Sequence, residues 1–290
     1  MHPAPSVIVF TVLSGLGFGF LAMLGFGLAQ PTGLAAFLSF GLGYALAVGG
    51  LLSSTLHLGN PRRALLAFTQ WRTSWLSREG WAAVAALLFT APAAIAAIAG
   101  DALPMLGVIA ALLCLATILA TSMIYAQLKT VPRWNHWTTS ALFFAFALSG
   151  GLILSQARWP AVAALMILAA LLAYAFRAGD GRFAARGHTM AAATGLGAIG
   201  DVRSFAPPHT GPNYLTTEMI HVVGRKHAAR LRVIAVLFAA ILPAVALALL
   251  PPGLPATAFA VILHLTGAFV ARWLFFAEAE HVVGLYYGLR

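Results

Sequence analysis

The chain has 290 residues, 61% of them hydrophobic and only 8% charged, against roughly 25% charged in soluble domains. So few charges cannot cover a water-soluble surface; a soluble globular fold is excluded, and the mean hydropathy of +0.91 makes lipid the expected solvent. The formal net charge is +10, and the single cysteine, Cys114, excludes an intramolecular disulfide and a four-cysteine iron–sulfur cluster.

A spanning helix needs about 20 mainly apolar residues. Eight such stretches are present, at 6–28, 33–56, 80–100, 103–127, 138–156, 160–177, 229–250 and 254–276. Gln30-Pro31, Asp101, Arg158 with Pro160, and the run from Pro251 to Pro255 break them. Only helices and closed barrels satisfy the backbone in lipid, and long apolar runs without strict alternation predict helices. The fold class read from the sequence is an all-α bundle of eight transmembrane helices, forming one membrane domain. No Lys or Arg precedes the first run, so it reads as a span and not as a cleaved signal. Gly15, Gly17, Gly19, Gly41, Gly43, Gly49 and Gly50 predict close helix packing; no strand precedes them, which argues against a nucleotide loop.

Eight spans put both termini on one side, together with the 2–3, 4–5 and 6–7 connections. Of the 17 Lys and Arg residues, only Arg158 falls on the opposite side. By the positive-inside rule the basic edge is cytoplasmic, which places both termini in the cytoplasm of a cell with a multi-pass inner membrane protein. The positive charge is thus the mark of one face of a bundle and not of nucleic-acid binding. Two cytoplasmic segments, 57–79 and 178–228, are long enough to dock soluble partners. In the first, Asn60 and Pro61 predict the start of a short interfacial helix carrying Leu65, Leu66 and Phe68. In the second, Thr216 or Thr217 is placed to cap a helix running on into the seventh span.

Polar residues cluster at the ends of the spans on this basic edge. They include His57, Arg78, Glu79, Tyr125, Gln127, Asn135, His136, His221, His227, Arg272, Glu278, Glu280 and His281. A two-electron, two-proton carrier such as a quinone suits this arrangement. Its ring oxygens take donors such as His or Arg, a carboxylate or imidazole relays protons, and its tail takes apolar walls. Structural readings stand beside this one. His57 could cap the second span, and Glu79 could be a first-turn carboxylate placed by the helix dipole. Trp71, Trp75, Trp81, Trp134 and Trp137 read as interfacial anchors. His264, the one deep ionisable residue, reads as an interhelical hydrogen-bond donor. A buried haem would want a second deep histidine, which the sequence lacks. A transporter would want polar groups or broken helices at the midplane.

The run HLGNPRRALLAFTQWRTSWLSRE at 57–79 resembles the signature of the membrane anchor subunits of the dimethyl sulfoxide reductase family of molybdopterin oxidoreductases. The likeness continues through KTVPRWNHWTT (129–139), TGPNYLTTEM (210–219) and RWLFFAEAEHVVGLYYG (272–288), and so covers essentially the whole chain. The resemblance implies a quinone-interacting anchor, partnered by an iron–sulfur subunit and a molybdopterin catalytic subunit, and holding neither haem nor cluster itself. It assigns quinone binding to His57 and to Glu79, which lies 22 residues further on. Arg63, Arg78 and Tyr125 are added as pocket or cluster-facing residues. The bacterial reductase anchor presents this edge to the periplasm, whereas here the charge bias turns it to the cytoplasm. That departure is closer to the anchor of cytoplasmic sulfite dehydrogenase, which implies reduction of ubiquinone or menaquinone as sulfite is oxidised. The alternative is a quinol-oxidising anchor of a terminal reductase.

Overall fold

A computed structural model describes residues 1–57, 60–206, 208–220 and 226–288; the side chains of His57, Pro61 and Arg62 lie outside the described set. Among the described residues there are eight helices long and apolar enough to cross a membrane: α1 (Pro5–Gly25), α2 (Gly33–Leu56), α3 (Trp75–Ala99), α4 (Pro104–Ala126), α5 (Trp137–Leu154), α6 (Arg158–Ala185), α7 (Ala228–Leu249) and α8 (Leu254–Ala277). The protein is an all-α membrane bundle.

Two helices depart from the apolar runs in the sequence. Helix α3 starts at Trp75, because the Ser74 side chain accepts a hydrogen bond from the Ser77 amide and so caps it. Arg78 and Glu79 are therefore inside the helix. Helix α6 runs on to Ala185, so the first residues of segment 178–228 are helical. Hydropathy stops at Arg177, but Asp180 and Arg182 are held by partners on neighbouring elements, described below.

Helix α1 is the centre of the bundle, buried over most of its length and packed on α2, α4 and α5. Small residues let the backbones touch. A Cβ on Gly17 would collide with the Ala47 backbone nitrogen, and one on Gly19 would collide with the Ala147 carbonyl oxygen. Gly43 and Gly50 are equally confined, whereas Gly15, Gly41 and Gly49 have open space beside them and need another explanation.

Helix α7 is interrupted by a π turn over Leu237–Ile241. Pro243 has no amide hydrogen, so it cannot donate to the carbonyl of Ala239 four residues earlier. That oxygen is instead 2.6 Å from Nδ1 of His264 on α8, and only a protonated Nδ1 can serve it. The deep histidine thus repairs a broken backbone in lipid, which is how such breaks are tolerated. Close approach makes this possible, since a Cβ on Gly267 would run into the Ala239 backbone.

The termini and the even-numbered connections meet at one edge. The Met1 ammonium donates to Ala279 O at 2.8 Å, and the His2 amide to Glu218 O at 2.7 Å. Val282 N donates to Thr130 O, Tyr286 Oη to Ala193 O, and Asn213 Nδ2 to Tyr287 Oη. Within 178–228 the expected long cap does not form. Asn213, not Thr216 or Thr217, supplies the acceptor, its Oδ1 lying 3.0 Å from Thr216 N. The resulting π turn, Leu215–Met219, ends at Ile220, and α7 begins separately at Ala228.

Candidate functional site: two buried polar clusters at the basic edge

The first cluster joins α3, α4, α5 and α8. Glu79 is 3% exposed, and its Oε1 is hydrogen-bonded by Thr121 Oγ1 of α4. Tyr125 follows Thr121 by one helical turn, on the same face. It is buried among aromatic rings, with centroids 5.8 Å from Phe143, 5.3 Å from Phe275 and 5.3 Å from Trp134. Arg272 of α8 shares two of these neighbours: its guanidinium carbon lies 3.9 Å from the Phe143 ring centre and 5.2 Å from that of Phe275. The cluster therefore gathers a carboxylate, a phenol and a guanidinium inside the bundle, without an ion pair among the described residues.

The second cluster lies beside it, nearer the end of the helices. Arg133, from the turn between α4 and α5, donates to Asp180 at 2.5 Å and to Glu278 at 3.2 Å. Arg232 of α7 donates to the same two carboxylates, at 2.5–2.8 Å to Asp180 and 2.6 Å to Glu278. Two acids and two bases thus form a closed, neutral ring that ties α6, α7, the 4–5 turn and the end of α8. A cavity of about 250 Å³ sits against it. Asn135 adds a second tie, accepting from Arg182 and Arg186 of α6 and donating to Ala126 O of α4.

The residues expected from the sequence are not all brought together. Glu79 and Tyr125 are. Arg78 points elsewhere: its Nε donates to Trp71 O at 3.0 Å, its Nη2 to Arg72 O at 2.6 Å, and its guanidinium lies over Trp75. It staples the end of segment 57–79 to α3. Arg63 is exposed on a 3-10 helix, Pro61–Phe68, whose Asn60 caps through its backbone alone. The His57 side chain lies outside the described residues, as does His221. Trp134 is no interfacial anchor. It is 2% exposed, stacks on Phe275 at 5.0 Å and donates from Nε1 to Phe275 O at 2.8 Å. Trp71, Trp81 and Trp137 are exposed at the helix ends, as anchors should be.

Sequence reasoning passed over the closed ring. Asp180 sits three residues beyond the last apolar run, and nothing local marks it as a partner of Glu278, 98 residues later. Arg272 carried a better signal, as an arginine inside an otherwise apolar span. His136, at the start of α5 and outside the spans, is held below the ordinary imidazole value, first by burial and then by Arg182 and Arg186. Its Nδ1 is 2.8 Å from Thr138 Oγ1.

The chain matches the model of the DMSO reductase anchor subunit (DmsC) family over residues 1–289. It belongs to that family. This anchor is 32% identical over 331 residues to a sulfite dehydrogenase subunit of Allochromatium vinosum, a comparison covering 99% of each chain. No solved structure matches it. As a member of an anchor family the protein is a multi-pass membrane subunit that associates with catalytic subunits in a complex.

Proposed function

We propose that this anchor passes electrons between a partner iron–sulfur subunit and a membrane quinone, at the edge that holds Glu79. The direction we favour is quinone reduction coupled to sulfite oxidation in a molybdopterin subunit. The name of the relative from Allochromatium vinosum supports that direction, and so does the charge bias, which turns the basic edge to the cytoplasm. On this reading the partners dock on the cytoplasmic face, on segments 57–79 and 178–228, and the membrane is the inner membrane.

The observation that carries the quinone reading is Glu79. A carboxylate buried at the start of α3, in a chain with so few charges, is costly unless it is used. A quinone, when bound, supplies a two-electron, two-proton acceptor. The residues present suit it: Glu79 holds a proton position inside the protein, with Thr121 fixing the orientation of the carboxylate. Tyr125 offers a phenol one helical turn beyond Thr121, the partner of Glu79. His57, 22 residues before Glu79, is proposed as the donor to a ring oxygen. Glu79 then connects that position to water at the basic edge, so that protons are taken from the side on which electrons arrive. Arg78 and Arg63 serve the docking segment rather than the ring.

The test is His57→Ala in the complete complex. Transfer to quinone is expected to fall at least tenfold, while partner activity with an artificial acceptor persists. If both activities survive unchanged, the assignment of His57 is wrong. Transport across vesicles by the anchor alone would favour a transporter instead.

A further inference from the structure

Arg272 is the least explained charge in the bundle. It is 7% exposed, and α8 places it six residues before Glu278, about 9 Å deeper at 1.5 Å per residue. Among the described residues it makes no hydrogen bond and no ion pair; its contacts are the faces of Phe143 and Phe275. Cation–ring contacts offset only part of the cost of a buried guanidinium, and its N–H donors remain to be used. The contrast with Arg133 and Arg232, each bonded to two carboxylates, is direct.

Arg272 also lines a cleft between α5, α6 and α8. The walls of this cleft are apolar and largely aromatic, with Phe143, Phe146, Phe176 and Phe275 around Leu142 and Ala175. Arg133 and Glu278 also line it, and they neutralise each other. What remains is one cation facing a mainly apolar, partly aromatic cleft between α5, α6 and α8.

We propose that this cleft is a lateral port for the quinone ring, and that Arg272 donates a hydrogen bond to a ring oxygen there. The inference rests on the quinone reading above and extends it from Glu79 to Arg272. Two features select the occupant. The unpaired donors need an oxygen acceptor, and the aromatic side chains of the lining, Phe143, Phe146, Phe176 and Phe275, suit the apolar body of a ring. A phospholipid phosphate suits the site less well. It would have to be drawn about 9 Å below the Glu278 level, with its full charge, past a carboxylate. The enclosed part of the cleft is about 50 Å³. It admits one edge of a ring, a carbonyl and its flanking carbons, and leaves the rest of the ring and the tail in the open mouth.

The experiment uses the complete complex with its partner subunits, and an azido-quinone as a photoreactive probe. The wild type is expected to be labelled on α5 or α6 within 142–146 or 172–176. Arg272→Gln should raise the KM for quinone at least tenfold, with Arg272→Lys intermediate. Ala175→Trp narrows the mouth without touching the arginine; it should raise KM similarly and remove the label. Quinone rates are normalised to artificial-acceptor reduction by the same preparation, which reports assembly. Ile262→Trp, on the exposed side of α8, is the control and should leave KM within twofold. If Arg272→Gln and Ala175→Trp leave KM and label unchanged while Glu79→Gln abolishes quinone reduction, the port is wrong and the quinone reading stands. If the variants instead lose a bound anionic phospholipid with quinone KM unchanged, the cleft is a lipid site and the proposal fails. If the wild-type complex neither reduces nor is labelled by quinone, both fail together.

Discussion

The two polar clusters at the basic edge use the same residue types in opposite ways. In one, Arg133, Arg232, Asp180 and Glu278 neutralise each other completely, and every charge meets a partner within 3.2 Å. In the other, Glu79 and Arg272 are both buried, yet they do not pair: Glu79 is bonded by Thr121 and Arg272 lies over the rings of Phe143 and Phe275. A closed ring of charges ties helices together and carries no net charge to offer a ligand. An open pair costs stability and keeps its donors and its proton site. On the function proposed above, burial of charge alone does not mark the site in this bundle; incomplete pairing does.

The comparison is broken most severely by removing Glu278. Glu278→Ala leaves two arginines at a buried position, and breaking such a pair costs about 3–5 kcal/mol; the thermal midpoint of the complex and its yield should both fall. Next is His264→Ala, which strands the Ala239 carbonyl beside the Pro243 break and should cost about 1 kcal/mol, read as a smaller drop in midpoint. Asp180→Ala should cost less than about 1 kcal/mol, because Asp180 is half exposed, although it accepts three bonds to the two of Glu278. An Asp180 effect as large as that of Glu278 would mean that the ring acts through its bonds and not through burial. The smallest effect concerns His136. Its folded-state pKa is lowered, so its contribution to stability is complete above the unfolded value near 6.5 and is lost as pH falls through the folded value. Arg186→Ala should soften that acid loss, as a titration of thermal midpoint between pH 7.5 and 5 would show.

Much of the fold was legible because lipid allows few solutions. Eight apolar runs had to be helices, and the sidedness of the arginines followed from counting. The helix ends were less legible. Ser74 caps α3 six residues before its apolar run begins, and α6 outlasts its own run because Asp180 is anchored from a distance. In the candidate site, the resemblance of run 57–79 singled out Glu79, and the structure shows it buried against Thr121. Arg78 could not be placed that way: whether a guanidinium faces a pocket or a pair of loop carbonyls depends on how segment 57–79 folds back, and no local pattern encodes that. Trp134 failed for a similar reason. It stands in a run of interfacial residues, but the turn between α4 and α5 rotates its ring into the core, where Phe275 offers both a face and a carbonyl.

The central claim is that the open pair is used and the closed ring is not. The most direct test is the ratio of quinone reduction to artificial-acceptor reduction in the assembled complex carrying Glu79→Gln. The amide keeps the size of the side chain and can still pair with Thr121, but it cannot exchange a proton. The account predicts a fall of at least about 100-fold in that ratio, with assembly and thermal midpoint unchanged. A ratio equal to that of the wild type would contradict it.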